Sequence, residues 1–531
     1  MMLYLLILLP IAAGTLLSLV QRRLIRLPVL LFQVGMVVAA AFQFADILQN
    51  GPLTFALGGW APPLGIALGL DVLSAGFQLL ACFLFLLCFV LGLAETYADN
   101  LFTFLFMTLQ SLILALFAAR DLFTLSLLFE VATILIAILI MYKKDSRAIY
   151  DGLTYLLLNI AGMTFFLFGV AIVYKRVGVL DMQLAGTALA KADPALAVLP
   201  FAFLFTGALL KSAQLPVFFW LPKAHATPSA PSEVSSILSG LYIKGGLYLF
   251  IRLRDMFEPV IPLDRLFLVL GLLTALFGII TALFQHDIKA ILAYSTISQA
   301  GLIVTGLSMG TPDAWWGAVM HIFNHALYKS LLFLTAGTLI RDYGTRDIRN
   351  IRGVATRMPT IAIATFLGML GITGAPFLNG SISKFYLQKG AEGWLVQGAL
   401  LVVNLGTLVV FAKYAEMFTG EKQARHAIPL FEQITVLVLG GMCLLGGLFG
   451  QPLANRVFSL SLVWDWGAYL QKSLIFFLSL ALALLLWHGV LKRRRLVQAG
   501  HTLEPTFNTM ALLMVLLFGL LLTFASRAAG V

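Results

Sequence analysis

An all-α polytopic membrane protein, with about sixteen transmembrane helices, two inverted five-helix repeats and broken helices inside them, is the fold class that the sequence predicts. Three observations carry this. Of the 531 residues 60% are hydrophobic and only 11% charged, where a soluble chain of this length carries about a quarter charged residues. Apolar runs of roughly 18 or more residues, the length a helix needs to cross the hydrocarbon core, recur from end to end. Glycine and proline interrupt two of those runs, each beside a lysine.

Taken in order, the first run, 2–20, has no basic leader and no small-residue cleavage site, so it is expected to be a retained span and not a signal peptide. Runs 27–47 and 70–93 complete an N-terminal group, 1–100. Runs 101–119, 121–141, 151–174, 197–222 and 231–253 make a first five-helix unit, 101–253. Runs 264–284, 288–308, 313–340, 360–388 and 394–418 make a second, 264–418. Runs 431–453, 470–491 and 507–527 form a C-terminal group, 431–531. Five is odd, so the second unit enters the membrane inverted relative to the first.

The loops support this order. "QRRLIR", "YKKDSR", "IRDYGTRDIRNIRGVATR", "GEKQARH" and "LKRRR" follow spans one, five, eleven, thirteen and fifteen. Even-numbered exits are mostly poor in Lys and Arg, "RLRDMFEPVIPLDR" being the main exception. Basic loops stay in the cytoplasm, which places both termini outside. For the same reason the net charge of +11 is read as a membrane signature, and no nucleic-acid partner is expected.

Cys82, Cys88 and Cys443 all lie in apolar runs and form no C-x-x-C or Cys/His cluster. No glycine-rich nucleotide fingerprint follows a strand. No cofactor, metal or catalytic site is expected in this chain. Any redox chemistry would sit in another subunit, which leaves open a place in a redox-driven translocase.

Ionisable residues fall inside the runs: Glu130, Lys211, Lys244, His321, His325, Lys329, Lys384 and Lys413. A charge at mid-membrane costs about 2.5–3.5 kcal/mol on insertion scales, so these side chains must face protein, a partner or water. Each has a plainer alternative. Glu130 can neutralise a structural lysine, and Lys244 and Lys413 can snorkel. His321, His325 and Lys329 are four apart and make one stripe on a helix face. H-x-x-x-H can bind metal, but no third ligand is near it in sequence, and histidine titrates near neutral pH, which favours a proton relay.

Pro216 follows Lys211 by five residues, and "GITGAPFLNGS" precedes Lys384. Broken spans are tolerated where they line a cavity or pack on protein. Paired broken spans at corresponding positions mark inverted-repeat transporters.

These motifs carry a resemblance. "KSAQLPVFFWLPKAH", "HDIKAILAYSTISQAG", "HIFNHALYKSLLFLTAG" and "LNGSISKF" resemble the antiporter-like subunits shared by respiratory complex I, membrane-bound hydrogenases and Mrp-type Na+/H+ antiporters, over roughly spans two to fourteen. "LGGWAPPLGIALGLD" and Lys244 within "LYIKGGLYLFIR" look closest to the Mrp D-type and hydrogenase-type branch. The resemblance implies a proton-translocation chain. Glu130 matches the glutamate that pairs with the broken-helix lysine, Lys211; Lys244 matches the bridging lysine; His321, His325 and Lys329 match the central relay; and Lys384 matches the terminal lysine. Spans fifteen and sixteen go beyond the usual family length of about fourteen, and no long amphipathic lateral helix is visible.

The leading expectation is a proton/cation-translocating subunit of an Mrp-type antiporter in the prokaryotic cytoplasmic (inner) membrane, with other membrane subunits as partners and protons, with or without Na+, as cargo. A second is the proton-pumping subunit of a NADH-quinone oxidoreductase-like or hydrogenase complex. A third, of another class, is a structural or docking subunit, for example for inorganic-carbon uptake.

Overall fold

The computed structural model describes residues 2–530 except 21, 93, 94, 96, 229, 423 and 501–504. Helices dominate. The chain begins with α1 (Met2–Ser18) and α2 (Arg22–Asn50). A short hairpin follows, in which β1 (Leu53–Ala56) pairs antiparallel with β2 (Ala67–Leu70) and Leu53 lies opposite Leu70. Next come α3 (Val72–Gly92), α4 (Asn100–Ala118), α5 (Leu122–Ile140), α6 (Ser146–Val177), α7 (Met182–Lys191) and α8 (Ala195–Lys211). After them run α9 (Trp220–Ala226), α10 (Ser232–Ile237) and α11 (Ile243–Phe257), the last two joined by a π-helical turn, Leu238–Tyr242.

The remaining helices are α12 (Asp264–Phe284), α13 (Ile288–Leu307), α14 (Pro312–Tyr343), α15 (Val354–Arg357), α16 (Pro359–Thr373), α17 (Asn379–Lys389) and α18 (Trp394–Ala415). They are followed by α19 (Leu430–Val457), α20 (Trp466–Leu485), α21 (Arg495–Ala499) and α22 (Phe507–Ala529).

The chain forms two compact units, Met1–Leu263 with Pro505–Val531, and Asp264–Glu504. Helices α19 and α20 belong to the second unit, and α22 packs on α6 and α8 in the first, through Phe518 against Phe203 and Phe165.

Among the described residues twelve helices are long and apolar enough to cross a membrane, and α1, α8 and α16 are shorter apolar helices. The count differs from the about sixteen expected for physical reasons. Helices α8 and α16 end early at chain breaks. The 32-residue α14 is long enough but carries the polar stripe His321, His325 and Lys329.

Local sequence explains the helix ends, and the two units use the same devices. Asp121 caps α5 by accepting from the Thr124 N–H, and Asp287 caps α13 by accepting from the N–H groups of Lys289 and Ala290. Each capping aspartate also pairs through its backbone with a later aspartate, Asp121 with Asp181 and Asp287 with Asp347. The following helices, α6 and α14, are both 32 residues long and end at left-handed glycines, Gly178 and Gly344. A left-handed C-cap is where glycine, lacking a Cβ, is favoured.

The two broken spans appear where Pro216 and "GITGAPFLNGS" predict them. The first run stops at Lys211 and resumes at Trp220; the second stops at Thr373 and resumes at Asn379. In each break a non-glycine residue holds a positive φ, Ala213 at 53° and Phe377 at 65°. Such backbone is costly for a side-chain-bearing residue and concentrates at functional sites.

Candidate proton-path residues and their neighbours

Lys211 is the last residue of α8 and is fully buried. Its Nζ donates to Thr133 Oγ1 at 2.7 Å, Asn159 Oδ1 at 3.0 Å and the Tyr242 hydroxyl at 3.0 Å. The rings of Phe129 and Tyr242 flank it, with centroids 5.6 and 5.4 Å from Nζ. Three elements build this pocket: α5 supplies Phe129 and Thr133, α6 supplies Asn159, and the π-helical turn supplies Tyr242. The hydroxyls of Thr133 and Tyr242 are 2.7 Å apart, and Tyr242 also reaches the Phe129 carbonyl at 3.3 Å.

The break itself is held open by specific contacts. The Trp220 indole donates to the Leu210 carbonyl at 2.9 Å, satisfying a group freed where the helix stops. Gly246 of α11 lies against the Lys211 backbone; a Cβ there would stand 2.4 Å from the Lys211 carbonyl carbon. Glycine at this position lets α11 approach the break.

The expected Lys211–Glu130 pair is corrected in one respect. Glu130 lies on α5 one turn before Thr133, and no ion pair within 4.0 Å joins it to Lys211 among the described residues. Thr133, Asn159 and Tyr242 occupy the direct positions instead. Lys244 is fully buried and donates to the Ser239 carbonyl in the π-helical turn that ends at Tyr242.

In the second unit the stripe of α14 faces a polar stripe of α13. Every residue of α13 is buried. Lys329 Nζ donates to the Leu292 carbonyl at 2.8 Å and to Ser295 Oγ. His321 Nε2 lies 3.0 Å from Gln299 Oε1 and 3.2 Å from the Tyr328 hydroxyl, and its Nδ1 lies 2.8 Å from Ser383 Oγ on α17. Both ring nitrogens of His321 are thus engaged by hydrogen-bonding groups. The His325 ring lies beside both rings, with its centroid 6.5 Å from His321 and 5.4 Å from Tyr328. Residues 292, 295 and 299 recur at helical spacing, so two helix faces meet polar edge to polar edge.

Lys384 is buried on α17 and donates to the Ile372 carbonyl at 2.7 Å and Asn404 Oδ1 of α18 at 2.9 Å. The stripe reaches Ser383, the residue before it, but no hydrogen bond joins His321 to Lys384. Lys413 does not snorkel: its ammonium is buried and donates to the carbonyls of Leu283 and Gln285, capping the end of α12. It is a helix cap.

Residues 119–412 match the family described as NADH:quinone oxidoreductase/Mrp antiporter, TM. The chain belongs to this antiporter-like family.

The match covers both lysine breaks and the His321–Lys329 stripe. Similar chains include the D-type component of the Na+/H+ antiporter of Alkalihalophilus pseudofirmus, 30% identical over 437 residues, 79% of this chain and 88% of that one. They also include the N-type component of the NADH-quinone oxidoreductase of Desulforudis audaxviator, 31% identical over 486 residues, 84% and 96% of the two chains. Among solved structures, a chain of the archaeal membrane-bound sulfane sulfur reductase superposes with a TM-score of 0.81 at 25% identity, covering 90% of this chain and 99% of that one. A chain of the Mrp complex from Dietzia sp. DQ12-45-1b gives 0.79 at 21% identity, covering 94% and 98%, and so shares the fold. This antiporter-like chain is an integral membrane protein.

Sequence reasoning missed Thr133, Asn159 and Tyr242. Asn159 was visible as a lone amide in an apolar run, and Thr133 shares a helix face with Glu130. Lys472 was missed as well, because it lies in a span outside the family pattern.

Proposed function

We propose that the chain is the proton/cation-translocating subunit of a multisubunit membrane complex of Mrp type, with Glu130, Lys211, Lys244, His321, His325, Lys329 and Lys384 as its proton path and other membrane subunits as partners. Protons, with or without Na+, are the cargo. One observation carries this. Lys211 is buried among neutral hydrogen-bonding groups and, among the described residues, is not locked to a carboxylate.

As an ammonium it finds three oxygen acceptors. As a neutral amine it accepts from Tyr242, whose hydroxyl turns between the amine and the Phe129 carbonyl. A pocket that satisfies both states lets the lysine bind and release a proton without leaving a buried polar group unpaired. Glu130 biases the balance toward ammonium by Coulomb attraction. The recurring caps, aspartate bridges and breaks support the reading of 101–253 and 264–418 as two repeats, each with one broken-helix lysine.

A second reading, the proton-pumping subunit of a redox-driven complex, is favoured by the relative that is named as part of an NADH-quinone oxidoreductase. The same residues serve either driving force. The test is cation-dependent or redox-coupled proton flux in vesicles holding the assembled complex. Lys211→Arg keeps the charge but does not release its proton, so flux should be lost while assembly persists. Near-normal flux would show that Lys211 only holds helices together.

A further inference from the structure

A cavity of about 390 Å³ in the second unit is lined from α13, α16, α17, α18 and α20, and three lysines are in its wall: Lys384 and Lys389 from α17 and Lys472 from α20. Lys472 Nζ donates to the Ser381 carbonyl at 2.8 Å and lies 5.4 Å from the Phe385 ring centroid. Lys384 is held by the Ile372 carbonyl and Asn404. Among the described residues neither ammonium has a carboxylate within ion-pair distance. The third lysine lining the cavity, Lys389, is paired with Asp313 at 3.1 Å. The nearby titratable groups on the packing helices are His321, bonded to Ser383, and Tyr469, bonded to Ser381.

We propose that Lys472 is the charge partner of Lys384: the two share one cavity, only one is protonated at a time, and the charge on Lys472 sets when Lys384 releases its proton. This rests on reading Lys384 as a proton-path residue. Two like charges in a cavity walled by apolar helices disfavour each other, and desolvation adds to the penalty, so the pair titrates as a unit. The asymmetry of their partners gives the two lysines different tasks. Lys384 lies in the broken helix, beside the Gly374 turn; Lys472 lies on an unbroken helix and acts through Lys384 as a positioning residue. On this account α20, which follows the family match at 119–412, completes the terminal lysine site.

The experiment is proton flux against pH in vesicles containing the assembled complex. Lys472→Arg fixes a positive charge in the cavity and should move the Lys384-dependent limb of the profile to lower pH, by about one unit. Lys472→Met removes the charge and should move the limb to higher pH. Where Lys472→Met does not assemble, Lys472→Gln keeps a donor for the Ser381 carbonyl and takes its place. A purely structural lysine would not give displacements of opposite sign, so an unmoved limb, or one moved in the same sense by both changes, overturns the proposal. Lys384→Met in the same assay should abolish flux. If flux survives Lys384→Met, the reading of Lys384 itself fails, and the proposal with it; if flux is lost but the Lys472 variants leave the limb in place, only the proposal fails.

Discussion

Tyr242 is the residue on which the Lys211 pocket turns. Its hydroxyl accepts from the Lys211 ammonium, and it stands two residues before Lys244 at the end of the π-helical turn. Tyr242→Phe keeps the ring and removes the hydroxyl, at a cost of about 1 kcal/mol per lost hydrogen bond. Flux should fall by roughly tenfold, the factor that about 1.4 kcal/mol represents, while assembly by co-purification is unchanged. Unaltered flux would remove Tyr242 from the path. Gly246→Ala tests the approach of α11 to the break. Its new Cβ would stand 2.4 Å from backbone, not from a flexible side-chain end, so the helices must separate. Overpacking of this kind costs about 1–3 kcal/mol, and a lower melting temperature of the detergent-purified complex is the expected readout. The lysines and histidines were legible in the sequence because a charge in an apolar run has few bland explanations. Their neutral neighbours were not, since a threonine, an asparagine or a tyrosine in a span becomes informative only once folding places it against an ammonium.

At the scale of elements, the broken helices show how freed backbone groups are satisfied. In the second break the Phe377 N–H donates to the Tyr469 hydroxyl at 3.0 Å, the same hydroxyl lies 2.9 Å from Ser381 Oγ, and Lys472 caps the Ser381 carbonyl. Helix α20 thus braces the α16–α17 break from outside it. Tyr469→Phe strands the Phe377 N–H and should cost about 1–3 kcal/mol, seen as earlier thermal unfolding and faster proteolysis at residues 374–378. Unchanged stability would show that the brace is redundant. Proline and glycine mark both interruptions in the sequence, because they cannot continue a helix or do so at a cost. What they could not announce was the tyrosine and lysine, some 90 residues later in the chain, that the interruption requires.

The whole molecule raises the question of orientation. Basic loops after odd-numbered spans predict that Ser146, at the start of α6, and Asn350, beyond α14, face the cytoplasm, whereas Glu392, before α18, faces outside. All three are exposed. Single cysteines at these positions, in a background lacking Cys82, Cys88 and Cys443, should react with an impermeant maleimide in that pattern. External labelling of Ser146→Cys would overturn the N-out arrangement. The count of spans was less legible than their existence. Hydropathy alone cannot separate a broken span from a short one, and it undervalues α14 because His321, His325 and Lys329 make that helix polar.

Helix α22 is synthesised last among the described elements, yet it packs on α6 and α8 beside the first broken helix. The order of manufacture and the order of completion therefore differ. While the ribosome is still translating the second unit, the aromatic surface of Phe165 and Phe203 waits for Phe518, covered only by lipid or by an insertion factor. The α6–α8 face is then among the last surfaces of the first unit to be covered, when α22 docks. Nascent chains stalled before residue 507 should expose α8 to protease or to a lipid-phase crosslinker placed at Phe203, and this exposure should vanish once α22 emerges.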